Sequence, residues 1–228
     1  MIKKILITGF PHCGTTILRA IYGNSNNILD IKKETKTIKK KHVKKAKKLG
    51  KEFILIKYPR ILDLNLEKYK NYFIIFIIRN PYYVYSSLNR RFLYKVPSDY
   101  NVENFNQTCK LFMKLKKKEP KRIFCIRYED LFKDDFKVPK RILNVIGVEY
   151  DDSIFKNENK DNIGNGRIHI KDIDIKPFDD DHDNYRTWQI NQPFKNSDNI
   201  FKLRLVDDQI KKFKDNYAVN QIYPYIFF

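Results

Sequence analysis

Residues 3–22 read KKILITGFPHCGTTILRAIY, and the reading of this stretch decides the fold. Ile5, Leu6 and Ile7 form a short apolar run of the kind that makes a buried strand. Gly9 to Gly14 follows as a turn-forming segment with a glycine at each end and Pro11 between them. Ile17, Leu18, Ile21 and Tyr22 then recur at helical spacing, so the chain leaves the turn as a helix beginning at Gly14, Thr15 and Thr16. A strand, a glycine-bounded loop and a helix N-terminus together build an anion cradle. Unpaired backbone N–H groups converge there, and the helix dipole adds partial positive charge. The spacing is that of a P-loop from Gly9 through Gly14 to Thr16, with Thr15 where a triphosphate-binding lysine would stand.

The same residues fit a second pattern. His12-Cys13, five residues and then Arg19 spell the H-C-x5-R of cysteine phosphatases, in which a thiolate attacks phosphorus. Against it, Ile17 and Leu18 fall inside the would-be cradle, no Ser or Thr follows Arg19, and Arg19 reads as lying on the solvent side of the helix. A P-loop kinase is a third reading, weakened by Thr15.

Working outward, 228 residues suit one domain with a proper core. The 42% hydrophobic and 14% aromatic content agrees. No apolar run approaches the length of a membrane span, and the start is too short in apolar residues for a signal peptide, so a cytoplasmic protein is expected. Cys13, Cys109 and Cys125 are scattered and odd in number, which fits a reducing compartment rather than a disulfide framework. The net charge of +19 is mostly lysine, concentrated in residues 32–48, whereas residues 151–183 are rich in aspartate. That unevenness fits a solvated helix face and an anionic ligand better than a specific nucleic-acid grip.

Asn24 to Asp30 reads as a polar connection and Glu34 to Leu49 as a lysine-dense helix capped by Gly50. Further strands are expected at Phe53–Ile56, Asn71–Ile78 and Arg122–Arg127, the middle one apolar enough to be buried on both faces. Helices are expected from Pro81 to about Phe92, from Asn101 to Lys118, and from Lys137 to Ile146 with Gly147 closing it. Residues 149–196 form a long polar stretch. Ser197 then caps a helix holding Ile200, Leu203, Val206, Ile210 and Phe213, before an aromatic tail. The alternation predicts an α/β fold: a P-loop-like parallel sheet of about four or five strands with helices on both faces. It reads as a single domain, 1–228, with a 1–147 core, a 148–196 loop region and a 197–228 helix and tail.

Ligands of such sheets sit beyond the carboxyl ends of the strands. Four motifs fall there: the glycine loop, Lys57-Tyr58-Pro59-Arg60, Arg79-Asn80-Pro81, and Tyr128-Glu129-Asp130-Leu131. Arg79 offers a planar fork of donors to a phosphate, and Ser87, two helical turns on, can face the same anion.

Pro11-His12-Cys13-Gly14-Thr15-Thr16 and the R-x-P-x5-S run from Arg79 to Ser87 resemble the sulfotransferases that use 3′-phosphoadenosine 5′-phosphosulfate (PAPS). The resemblance implies that Pro11, His12, Cys13, Gly14, Thr15, Thr16 and Ile17 surround the 5′-phosphosulfate. It likewise implies Arg79 and Ser87 at the 3′-phosphate and Tyr128 near the adenine. Arg186, in Tyr185-Arg186-Thr187-Trp188, matches the family's C-terminal cofactor loop best, with Arg167 second. The implied reaction moves a sulfuryl group to a hydroxyl or amine of a small molecule or glycan, acidic acceptors included. It leaves adenosine 3′,5′-bisphosphate (PAP) and uses no metal. Three departures stand out: His12 replaces the loop lysine, Ile17 replaces a tryptophan, and Lys57-Tyr58-Pro59 replaces the K-T-H that carries a catalytic histidine. These set the chain nearer bacterial or viral relatives than the cytosolic animal enzymes. His12 is then the expected acid and Lys57 a candidate base, a role that would require a depressed pKa. Asp179 to Asp183, with His182, reads as a solvated acidic loop rather than a metal box.

Overall fold

β4, Phe73–Ile78 (FIIFII), is buried along almost its whole length, as expected of an interior strand covered on both faces. It lies beside β1, Lys3–Gly9, in a sheet completed by β2 (Ile28–Glu34), β3 (Phe53–Tyr58) and β5 (Ile123–Arg127). The order is β2-β3-β1-β4-β5 and every pairing is parallel. The computed structural model describes residues 1–156 and 203–224.

Alternation along each strand divides the core. Ile5, Ile7, Leu55, Ile75 and Ile77 face one layer, packed by α1 (Thr15–Gly23) and α5 (Lys137–Ile146). Leu6, Ile56, Ile74, Phe76 and Ile78 face the other, packed by Phe112 and Leu115 of α4 (Val102–Lys116). α3 (Pro81–Phe92) joins α4 and two C-terminal helices, α6 (Asp207–Lys214) and α7 (Tyr217–Ile222), around Tyr85, Phe105 and Phe213. Each buried Ile or Phe contributes roughly 1.5–3 kcal/mol. Such a core can hold a few polar side chains at the strand ends without relying on them for stability.

The expected β1, β3, β4, β5, α3, α4 and α5 all form, and Gly147 closes α5 in the left-handed conformation (φ 80). Three sequence expectations are corrected. Residues 28–34 are a strand, not part of a connection and a helix, and the lysine-rich helix α2 begins only at Lys40 (Lys40–Lys48). Leu203 and Val206 precede α6 rather than belong to it, and α7 stands where the aromatic tail begins. Arg19 does not face solvent. It is buried at 3% exposure, with Nε 3.6 Å from Asp30 Oδ2 and Nη1 donating to the carbonyl of Lys32. Its partner lies on the strand that the sequence reading missed. Ser197, Ile200 and most of the 148–196 region fall outside the described residues.

Burial pushes the Asp30 carboxyl up from 3.8 to about 6, and Arg19, Lys32 and Lys57 offset only part of that. The folded chain therefore holds this proton more tightly than the unfolded one. Stability falls as pH rises from about 4 to about 6, and the penalty is complete above that window. Asp30→Asn should remove this slope. Relative to wild type the variant is expected to gain on the order of 2 kcal/mol between pH 4 and 7 in urea melts. Parallel pH profiles for the two proteins would refute the assignment.

Candidate functional site

The chain runs from β1 to β2 and β3 on one side and to β4 and β5 on the other, so β1 and β4 flank the topological switch. The crevice at their carboxyl ends is where such sheets bind ligands. Gly9 pairs with Ile77 there, and a side chain at position 9 would meet the Ile77 carbonyl at 2.2 Å. That contact brings the loop after β1 hard against the end of β4.

Gly14 is the N-cap of α1 at φ 91 and provides no side-chain cap, which leaves the first-turn N–H groups to an external acceptor. The ring of Tyr128 occupies the space where a β-carbon would project, 2.3 Å from its ideal position. His12 also sits at positive φ (64), so the loop is wound tightly on both sides of Cys13. Pro11, Cys13 and Thr15 are buried, His12 and Thr16 are half-buried, and Ile17 packs against the α1–α5 layer.

The other three strand-end motifs meet on this loop. Arg79, following β4, places its guanidinium 4.2 Å over the Tyr128 ring and donates to the His12 carbonyl at 3.4 Å. Asn80 caps α3 through its side chain, and its backbone N–H donates to Glu129 at 2.7 Å, tying the β4 and β5 ends together. Ser87 Oγ lies 2.7 Å from His12 Nδ1. Lys57, at 5% exposure, donates from Nζ to Thr16 Oγ1 at 2.8 Å. Arg79 and Ser87 thus share the loop's side of the sheet and touch it.

Two site residues escaped the sequence reading. Glu34 Oε1 is 2.9 Å from Lys57 Nζ, and its side chain is 51% exposed. The β2–β3 register shifts between Asp30 and Glu34. Without the shift Lys32 would stand opposite Lys57, like charge against like; with it, the carboxylate does. Arg91, one turn beyond Ser87, brings Nη1 to 3.5 Å from His12 Nε2. Glu34 stands on a strand the sequence reading missed and meets Lys57 only through a register shift, so no local pattern marks it. Ser87 and Arg91 at i,i+4 on one helix could have been noticed.

The phosphatase reading fails on both of its essential groups. Burial pushes the Cys13 thiol up to about 12, and the nearby Arg79 charge does not undo this, so no thiolate forms at neutral pH. Arg19 is turned away toward Asp30. Among the described residues, no three His, Cys, Asp or Glu side chains gather as a metal site, and no helix is long and apolar enough to cross a membrane. Arg186, Arg167, Trp188 and the Asp179–Asp183 run lie outside the described residues.

A family model described as "Sulfotransferase family" matches residues 55–152, the span that holds Lys57, Arg79, Ser87, Arg91 and Tyr128. No curated protein matches the sequence. Among solved structures, the sulfotransferase domain from the curacin biosynthetic pathway superposes with a TM-score of 0.55 at 14% identity, over 94% of this chain and 97% of that one. The sulfotransferase domain of the Synechococcus PCC 7002 olefin synthase gives 0.55 at 16%, over 97% and 95%. Mouse sulfotransferase SULT7A1, solved with PAP, gives 0.48 at 19%, over 67% of this chain and 60% of the mouse one. The chain thus spans about 60% of the mouse enzyme's length. Over residues 55–152, which supply much of the crevice, the chain is similar to the sulfotransferase family, and its fold is that of the two sulfotransferase domains.

Proposed function

We propose that this chain transfers a sulfuryl group from PAPS to a hydroxyl or amine acceptor, with carbohydrates among the acceptors considered. The observation that carries the reading is the convergence of Arg79 and Ser87 on the loop of His12, Gly14 and Thr16. Two anion-binding groups, a loop with a helix N-terminus and an arginine with a serine, lie side by side, as a doubly charged nucleotide requires. The donor set fits: uncapped N–H groups, two threonine hydroxyls, a lysine and a guanidinium, with no carboxylate on the loop itself.

When bound, PAPS supplies the sulfuryl group and a nucleotide leaving group. The protein's work is positioning and charge stabilisation. The N–H groups of residues 12–16, with Thr15 and Thr16, would hold the 5′-phosphosulfate end, and Arg79 and Ser87 the 3′-phosphate. His12 would donate at the bridging oxygen. Lys57 already donates to Thr16 and pairs with Glu34, so it serves better as a cation than as a base. Glu34, exposed at the mouth beside it, is the carboxylate suited to take the acceptor's proton.

The test is a thermal shift. A nucleotide present at a hundred times its Kd stabilises by about 2.7 kcal/mol. For a chain of this size that is a rise of roughly 5–10 °C. PAP is expected to produce it without a divalent cation, and ATP with magnesium is not. A larger shift with magnesium-ATP would replace the reading with a kinase.

A further inference from the structure

His12 brings no permanent charge to the loop, yet charge must be met where the sulfur–oxygen bond breaks. Among the described residues, three cationic side chains reach the loop, and two are engaged. Lys57 is held by Glu34 at 2.9 Å, and Arg79 lies on the Tyr128 ring and bonds the His12 carbonyl. Arg91 differs. It is exposed, it faces no carboxylate among the described residues, and its contacts are the ring of Phe92 at 5.1 Å and His12 Nε2 at 3.5 Å.

Its placement is built by the helix. Ser87 and Arg91 stand four residues apart on one face of α3, so they flank the imidazole from successive turns. Ser87 fixes Nδ1 at 2.7 Å, and Arg91 meets the opposite ring nitrogen. An arginine keeps its charge at every working pH, whereas an imidazole does not. The permanent charge beside the imidazole therefore belongs to Arg91.

Resting on the sulfotransferase reading, we propose that Arg91 is a catalytic residue: its guanidinium contacts the sulfuryl oxygens and stabilises the negative charge that grows there and on the bridging oxygen. The bond from sulfur to the bridging oxygen breaks and the bond from sulfur to the acceptor oxygen forms. The acceptor's proton leaves to Glu34, and Arg91 itself exchanges no proton.

The experiment uses the whole chain and 35S-labelled PAPS in single turnover with water as the acceptor, scoring free sulfate, beside calorimetric binding of PAP. Arg91→Ala should slow conversion about a hundredfold. PAP affinity should change by less than about threefold, because PAP carries no sulfuryl group. Arg91→Lys should keep conversion within about tenfold of wild type, and His12→Lys in the Arg91→Ala background should restore much of the loss, since either returns a cation to the same place. Conversion at the wild-type rate in Arg91→Ala would overturn the proposal. So would a loss of PAP affinity by the same factor as the rate, which would make Arg91 a phosphate clamp. If the wild-type chain does not bind PAP, the sulfotransferase reading fails and the role of Arg91 falls with it. If PAP binds and conversion ignores Arg91, only the role falls.

Discussion

Gly14→Ala is expected to abolish measurable PAP binding, lowering affinity at least about a hundredfold, and to destabilise the chain by roughly 2–5 kcal/mol. Two separate costs combine. A residue with a β-carbon at φ 91 is strained by about 1–2 kcal/mol. The new methyl would also sit 2.3 Å from the Tyr128 ring, so that ring must move or the loop must lift. Tyr128 in turn carries the Arg79 guanidinium, so a displaced ring takes the second anion-binding group with it. The double variant Gly14→Ala/Tyr128→Ala separates the two costs. It should recover the overlap but not the backbone strain, and binding should stay weak. Urea melts give the stability, and calorimetry with PAP gives the affinity. A Gly14→Ala protein that binds PAP like wild type would show that the nucleotide does not use this loop.

Lys57→Met is expected to lower single-turnover PAPS conversion by about two to three orders of magnitude while leaving the fold intact. Methionine fills most of the buried volume that the lysine stem occupies. The fold therefore survives, but the Thr16 hydroxyl loses its donor and Glu34 loses the charge that holds it at the mouth. Glu34→Gln isolates the second effect. The amide keeps the shape and cannot accept a proton, so conversion should drop by about two orders of magnitude with PAP affinity nearly unchanged. Equal rates in Glu34→Gln and wild type would remove Glu34 as the base and return the search to other carboxylates.

The uneven legibility of this sequence has physical causes. β1, β4 and β5 could be read because strands buried on both faces are continuous apolar runs, and α5 because Gly147 ends it in a conformation that favours glycine. Arg79 and Ser87 could be read because their spacing is fixed by one local unit, a strand end followed by a helix. β2 could not. Among the described residues it is an edge strand, ILDIKKE, paired with β3 alone, and its outer half is polar because one side meets water. Missing β2 hid both of its partnerships, Asp30 with Arg19 and Glu34 with Lys57. The Glu34 contact depends further on a register shift, a feature of pairing that no local pattern reveals. The lysine run misled in the same way, extending a helix backward across a loop and a strand end.

The Tyr128 ring fills the volume that every amino acid except glycine would claim at position 14. These two positions, far apart along the chain, therefore cannot drift independently. A randomised library selected for function should return glycine at 14 wherever an aromatic ring stands at 128, and enzyme variants built by shuffling segments across that divide should inherit both partners from one parent or fail.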